Sequence, residues 1–361
     1  MVKIFFNGRH KSSPGTAILR FRLTIILRSK YKKLSFSSIV FILLGKVYKK
    51  ITEKKARDQA MSIRKVLVTG AGGLMGGYVI DKLLGHYDLC GIDILPDKKG
   101  LPHIQDTILN YEAVRRACEG MDAVIQIAAI PNIWSGTHEE IIHTNVTGTW
   151  NVLKAAEEAG VKRVIITSSD SVIGYTVLSG SMIAPDYLPV DESHICRPTD
   201  PYALSKKLCE EITKSFLDRG SFEAVIMRPV FVLYPDLETE VIARAADPEG
   251  YLGPTQGGHK PPGGGAMWHY IDPRDLAIAY RNALNLEKPG LGPYFLSGPN
   301  ILAPDDTLAR IKKMSGKEPE IKAPMIYKNN PFAPLYDLSF AEINLNFRAQ
   351  YDLRKKLSLY N

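Results

Sequence analysis

Two polar residues spaced by four, Tyr202 and Lys206 in Tyr202-Ala203-Leu204-Ser205-Lys206, and a glycine trio, Gly70, Gly73 and Gly76, are the positions whose types and spacing could do chemistry. On a helix the first spacing puts the lysine one turn beyond the tyrosine on the same face. Alone it is also the spacing of any amphipathic helix. The glycine trio sits in Thr69-Gly70-Ala71-Gly72-Gly73-Leu74-Met75-Gly76, directly after the apolar run Val66-Leu67-Val68. In a strand–loop–helix context Gly70 permits a tight turn, Gly73 lets the backbone approach a pyrophosphate, and Gly76 allows close helix–sheet packing. The helix then begins at Leu74 and Met75 with unpaired amide hydrogens facing the phosphates.

Asp93 ends the next apolar run, about 20 residues beyond the loop, where a carboxylate accepts the ribose hydroxyls of NAD and repels the extra phosphate of NADP. NAD is therefore expected over NADP, although Lys98 and Lys99 lie close enough in sequence to favour a phosphate. With a nicotinamide bound, the pair at 202 and 206 acquires a role. A free phenol, with a pKa of about 10, is a poor base at neutral pH. An adjacent ammonium and a nicotinamide cation both favour the phenolate, so Tyr202 is expected to take a proton from a carbinol while hydride leaves for the cofactor.

The elements that must position these residues follow from the apolar pattern. Short β-rich runs at Val66–Val68, Leu89–Ile92, Ala123–Ile127, Arg163–Thr167 and Ala224–Met227 alternate with helix-length stretches at about 74–84, 110–118, 138–159 and 200–219. This alternation predicts βαβ units: an α/β fold with a doubly wound parallel sheet covered on both faces. The core is expected over about 62–228 with returns near 271–297, and a small C-terminal substrate-binding subdomain, or cap, over about 178–198, 229–270 and 290–345. Glycines and prolines crowd 253–265, which reads as a long loop.

The chain of 361 residues carries a formal charge of +8. Residues 1–60 hold 15 of the 46 Lys+Arg and 2 of the 38 Asp+Glu, so they carry +13 and the remainder 31 minus 36, or −5. The basicity belongs to the extension, and nothing in the mildly acidic body from 61 to 361 points to nucleic acid. The extension contains an apolar stretch, Leu34–Leu44, flanked by lysines and shorter than the about 20 residues of a spanning helix. It reads either as disordered or as a targeting or membrane-surface segment; any membrane contact would come through it. Four cysteines without CxxC spacing are expected to be reduced thiols in a cytoplasmic protein, and no metal site is expected.

The body resembles the extended short-chain dehydrogenase/reductase family of NAD-dependent sugar epimerases and dehydratases over roughly 62–350. The resemblance rests on TGAGGLMG at 69–76, IQIAAIP at 125–131, NVTGTWNVLKAAEEAGVKRVIITSS at 145–169, YALSK at 202–206, MRP at 227–229 and YIDPRDLA at 270–277. It implies that Ala128 and Ala129 line the cofactor with Gly70, Gly73, Leu74, Met75, Gly76, Asp93, Tyr202 and Lys206. It also implies that Ser169 hydrogen-bonds the substrate oxygen, and that Asn145 serves as structural support or in a water relay. A homodimer and a sugar or sugar-nucleotide substrate are implied likewise.

Within that family, dehydratases follow the hydroxyl residue with Asp-Glu; here the pair is Asp170-Ser171, so water elimination is disfavoured. In the UDP-sugar group an arginine and an asparagine anchor the diphosphate, and Trp268 and Phe231 stand at those positions, leaving aromatic faces against a base or sugar. Hydride exchange at a sugar or nucleotide-sugar carbinol, epimerase-like, is the expected chemistry. The alternative is a uronate dehydrogenase, which SSDSVIGY at 168–175 also resembles; there Arg228 would contact a substrate carboxylate, its other reading being a structural ion pair. A non-catalytic nicotinamide sensor would be expected to lose Tyr202 and Lys206.

Overall fold

The computed structural model describes residues 4–5, 24–25, 63–174, 183–248, 268–287, 289–290 and 292–356. The stretch 34–44, the glycine- and proline-rich loop and the parts of the expected cap at 178–182 and 249–267 lie outside the described residues. The chain divides into two units, Met1–Ser62 and Ile63–Asn361. In the first, Ile4–Phe5 pairs antiparallel with Thr24–Ile25.

The second unit is built on seven parallel strands: β1 (Lys65–Thr69), β2 (Asp88–Asp93), β3 (His103–Gln105), β4 (Ala123–Gln126), β5 (Arg163–Thr167), β6 (Glu223–Pro229) and β7 (Tyr294–Leu296), in the order β7-β6-β5-β4-β1-β2-β3. The order reverses between β1 and β4, and in such sheets ligands bind outside the carboxyl ends of the strands at the reversal. Because both faces are covered, the central strands are apolar throughout rather than alternating. Val66 and Val68 join one core with α1 (Leu74–Leu83), while Leu67 joins the other with α2 (Tyr111–Cys118). Fully burying a side chain such as Leu67 contributes roughly 1.5–3 kcal/mol.

The helix read as continuous over 138–159 is not regular. A capping box between Thr137 and Glu140 starts α3 (His138–Ile142), a π-helical segment follows at His143–Thr147, and α4 (Gly148–Glu158) continues from it. The wide turn places Asn145 so that its amide nitrogen donates to the Ile130 carbonyl at 3.1 Å and to Ser205 at 2.9 Å, and its oxygen accepts from the Ile130 amide at 2.8 Å. Apolar periodicity carries no signal for such an insertion. The remaining helices of nine or more residues among the described residues are α5 (Pro201–Asp218), α6 (Glu238–Ala246), α7 (Pro273–Leu284) and α8 (Thr307–Ser315). Asp200 caps α5 by accepting from the Ala203 amide at 2.7 Å, with Pro201 at the first position, where a missing N–H costs nothing.

At the amino ends of the strands Arg163, the first residue of β5, is buried against Glu223. It donates to the Ala283, Leu284 and Leu286 carbonyls at the end of α7, which have no partner within their helix. A third apolar cluster, including Leu233, Leu237, Val241, Trp268, Tyr270, Leu302 and Leu353, gives the cap a core of its own. The cap reaches past 345, because Arg354 donates to the Ile301 and Ala303 carbonyls. Among the described residues no helix is long and apolar enough to cross a membrane.

Candidate active site

The glycine loop leaves β1 with Gly70 at φ +75°, and the Gly70 amide donates to the Ile92 carbonyl at 2.9 Å. A Cβ at Gly76 would lie 2.1 Å from the Gly70 carbonyl oxygen, and one at Gly70 would lie 2.8 Å from the Ala128 nitrogen. Neither position tolerates a side chain. At Gly73 the nearest atom to a built Cβ is the loop's own Gly70 oxygen, 3.3 Å away, so this residue faces outward. Gly73 caps α1 without a side-chain hydrogen bond and no acid stands in the first turn, leaving the amides of the Leu74–Met75 turn open to an anion. A cleft of about 230 Å³ opens there, lined by the loop and by Tyr78, Asp81, Lys98 and Lys99. Lys99 pairs with Asp81 at 2.7 Å, while Lys98 donates to the Gly72 carbonyl at 3.3 Å. The residues present fit a dinucleotide pyrophosphate.

Asp93, at the end of β2, is fixed by two backbone donors: the Gly72 amide at 3.0 Å and the Leu95 amide at 2.8 Å. Each oxygen keeps a lone pair for a ribose hydroxyl. On the other side of the loop, Thr69 Oγ1 donates to the Gln126 side chain and accepts from the Ile127 and Ala128 amides at 3.1 and 3.2 Å. This ties the Ala128–Ala129 turn against the glycines.

The residues expected to react gather at the end of β5 and the start of α5. Lys206 is buried, and its Nζ donates to the Thr167 carbonyl at 2.8 Å and stands 5.7 Å from the centre of the Tyr202 ring. Ser169, two residues beyond β5, accepts from the Ser171 amide at 3.2 Å and hydrogen-bonds the Tyr202 phenol. Burial pushes the phenol above its ordinary value, the Ser169 hydroxyl being the group that pulls it down, and burial pushes the Lys206 ammonium down. Desolvation penalises both charged forms.

Arg228 is 3% exposed and pairs with Glu210, Nε to Oε1 and Nη2 to Oε2 both at 2.8 Å, so the ion pair is built, while its buried Nη1 has no hydrogen-bond partner. The expected substrate contact at Trp268 is corrected. Trp268 is fully buried in the cap core between Arg244 and Arg310, with ring-to-guanidinium distances of 5.1 and 5.2 Å, and offers no surface to a substrate. Ser171 stays near the site, with its buried Oγ unpartnered. Both amide hydrogens of Asn145 go to Ile130 and Ser205 and its oxygen accepts from the Ile130 amide, as structural support requires, with one oxygen lone pair left over.

Sequence reasoning missed three residues here. Tyr336 donates from the C-terminal segment to Asp170 Oδ2 at 2.7 Å, across 166 positions. His269 lies edge-on to Tyr336 at 6.0 Å with its Nε2 buried and unpartnered, and burial lowers its pKa to about 4, so the ring is neutral. Asp106 follows β3 and its amide donates to the Asp93 carbonyl at 2.9 Å, placing the two residues side by side. The first two are joined to the site only by folding. Asp106 follows a strand too short to show in the apolar pattern.

A glycine cradle at the reversal point of a doubly wound parallel sheet defines the dinucleotide-binding class of α/β protein. The particular family follows from comparison. The profile of the NAD dependent epimerase/dehydratase family matches residues 66–288, and the chain belongs to that family. Cinnamoyl-CoA reductase 1 of Petunia hybrida is 25% identical over 276 residues, covering 72% of this chain and 80% of its own. L-arabinose 1-dehydrogenase (NAD(P)(+)) of Haloferax volcanii is 28% identical over 232 residues, covering 62% and 84%. Among solved structures, a UDP-glucose 4-epimerase of Thermotoga maritima with UDP-glucose superposes with a TM-score of 0.58 at 20% identity, covering 82% of this chain and 96% of that one.

Proposed function

We propose that this chain is an NAD-dependent oxidoreductase that exchanges hydride at a carbinol of a sugar or nucleotide sugar, in the manner of the sugar epimerases. The observation that carries the reading is the meeting of Ser169, Tyr202 and Lys206 at the carboxyl edge of the sheet that holds the glycine cradle. Bound NAD supplies the hydride acceptor. The loop amides from Gly73 to Gly76 hold its pyrophosphate and Asp93 takes the ribose hydroxyls, its charge opposing the additional phosphate of NADP. Ser169 holds the substrate oxygen, Tyr202 carries its proton, and Lys206, fixed on the Thr167 carbonyl, places a cation beside the ring.

A simple sugar dehydrogenase is the second reading. It is favoured by the similarity to L-arabinose 1-dehydrogenase and by Trp268, which stands where a diphosphate anchor would be and is buried. A homodimer through α4 and α5 belongs with either reading, since Trp150 and Leu204 remain 44% and 42% exposed on those adjacent helices.

The test is a panel of aldoses, uronic acids and UDP-sugars with purified protein. Net NADH from a free sugar selects the dehydrogenase; interconversion of UDP-sugars without net NADH, with NAD retained through purification, selects the epimerase. Tyr202→Phe should abolish either activity, and full turnover in that variant would refute the assignment.

A further inference from the structure

One polar atom at the junction of cap and core has no part in the steps above. His269 stands between Trp268 and Tyr270, which both turn into the apolar cluster of the cap. Its own ring turns the other way and lies edge-on to Tyr336, with centroids 6.0 Å apart. Tyr336 belongs to the main core together with Val172 and Ile173 of the turn that follows Ser169, and it stacks on Phe295 at 4.5 Å. Its hydroxyl donates to Asp170 Oδ2 at 2.7 Å, one residue from Ser169. His269 therefore faces the seam between cap and core from the cap side, and Ser169 and Tyr202 face it from the core side.

His269 Nε2 is buried and, among the described residues, has no hydrogen-bond partner. Such an atom carries an uncompensated desolvation cost, which an apolar ring packed against Tyr336 would not. Its burial does not put it beyond a substrate. Tyr202 is half-buried as His269 is, and its phenol is enclosed to the same degree. A substrate that reaches Tyr202 must part the cap from the core, and that parting uncovers the imidazole.

The chemistry of the ring limits what it can bind. Burial alone lowers its pKa, to about 4, with no contribution from a charged group among the described residues, so the imidazole is neutral at neutral pH. A neutral imidazole nitrogen donates or accepts a single hydrogen bond according to its tautomer. It suits a hydroxyl, which does both, and it offers no counter-charge to a carboxylate or a phosphate.

We propose that His269 is a specificity residue of this site, its Nε2 binding a neutral hydroxyl of the substrate other than the reacting carbinol. The proposal rests on the hydride-transfer reading and narrows its substrate class. The substrate is a polyol whose second hydroxyl meets His269: a free aldose or the sugar ring of a nucleotide sugar. It is neither an apolar alcohol, against which Nε2 would stay unpaired, nor an acid held at this position through its carboxylate. No bond forms or breaks at the imidazole, which holds the sugar from the cap side while the carbinol stays with Ser169 and Tyr202.

Calorimetry on the full-length protein holding NADH tests this, with the aldose or UDP-sugar of the panel that binds wild type best. His269→Phe keeps a flat ring against Tyr336 and removes Nε2, and it should weaken the sugar by roughly tenfold. His269→Gln, which restores a donor and an acceptor, should regain most of that loss. Among monodeoxy forms of the same sugar, one should bind wild type and His269→Phe equally, because it lacks the hydroxyl that His269 binds. In turnover His269→Phe should raise KM and leave kcat nearly unchanged. Equal affinity of the parent sugar for wild type and His269→Phe overturns the proposal, as does a loss confined to uronates, or binding of cyclohexanol where no sugar binds. Thermal unfolding without sugar separates a merely structural role: an unpartnered Nε2 has no bond to lose, so His269→Phe should unfold no lower than wild type, and a fall of several degrees overturns the proposal. Full turnover in Tyr202→Phe would remove the hydride reading and leave the calorimetric comparison to decide the subsite.

Discussion

Removing the carboxylate of Glu210 gives the sharpest test of how the structure reads Arg228. The two side chains are 5% and 3% exposed and meet through two bonds of 2.8 Å, with Ser168 donating to Glu210 at 2.7 Å. Burial alone would raise the carboxyl and lower the guanidinium. Their hydrogen bonds and mutual attraction outweigh it, so Glu210 lies below its ordinary range and Arg228 above. Glu210→Ala leaves a buried guanidinium without a counter-charge, which costs about 3–5 kcal/mol. At about 2–4 °C per kcal/mol, the midpoint of thermal unfolding should fall on the order of 10 °C. Replacing both partners, Glu210→Leu with Arg228→Met, should restore most of that stability, because two apolar side chains need no mutual neutralisation. Urea unfolding at neutral pH measures all three proteins. Because the folded carboxyl is depressed, the pair contributes fully above the ordinary carboxylate value and its contribution is lost as the pH falls through the folded one. A single variant within about 1 kcal/mol of wild type, or a double variant as unstable as the single, would refute the reasoning.

Three further outcomes follow from the site and its surroundings. Gly76→Ala, whose new methyl would lie 2.1 Å from the Gly70 oxygen, should weaken NADH binding by roughly tenfold or more in a fluorescence titration, and affinity within twofold of wild type counts against the cradle. Asp170→Asn should be more stable than wild type near neutral pH by up to about 3 kcal/mol, with the difference vanishing at low pH. The raised pKa means that Asp170 contributes fully below 3.8 and loses that contribution as the pH rises through about 6, whereas asparagine cannot ionise. Equal urea midpoints for the two proteins near neutral pH would argue against the raised carboxyl. Leu204→Glu on the exposed apolar face of α5 should convert a dimer to a monomer in size-exclusion chromatography, and an unchanged elution position would place the interface elsewhere.

What was legible in the sequence was what is local in the chain. The glycine loop, Asp93 at the end of its strand and the Tyr202/Lys206 pair are each contained in one turn or one βα unit, and their spacing encodes their geometry. The parallel core could be read because strands buried on both faces are apolar throughout. One edge strand escaped: His103–Gln105 offers one apolar residue in three, whereas Tyr294–Leu296 falls within the return expected near 271–297. The contacts that shape the site from outside it, Tyr336 to Asp170 and His269 to Tyr336, join segments that nothing in sequence spacing connects. Arg228 stayed open between two roles because its partner, Glu210, lies on a different element. For Tyr202 and Lys206, spacing shows that two groups adjoin, but not how much water reaches them.

The wide turn at His143–Thr147 makes this stretch of helix sensitive to length rather than to composition. It accommodates one residue more than a regular turn, so α3 and α4 continue one another around an inserted position. Deleting a single position there would close the wide turn to a regular one and turn the residues inside it by up to about 100°. Asn145 would leave both Ile130 and Ser205, and the anchor between the Ala128–Ala129 turn and the helix of Tyr202 would be lost. Substitutions along this segment can be absorbed one at a time, but a frame-preserving indel of one codon would strike the cofactor side and the proton-transfer side of the site together.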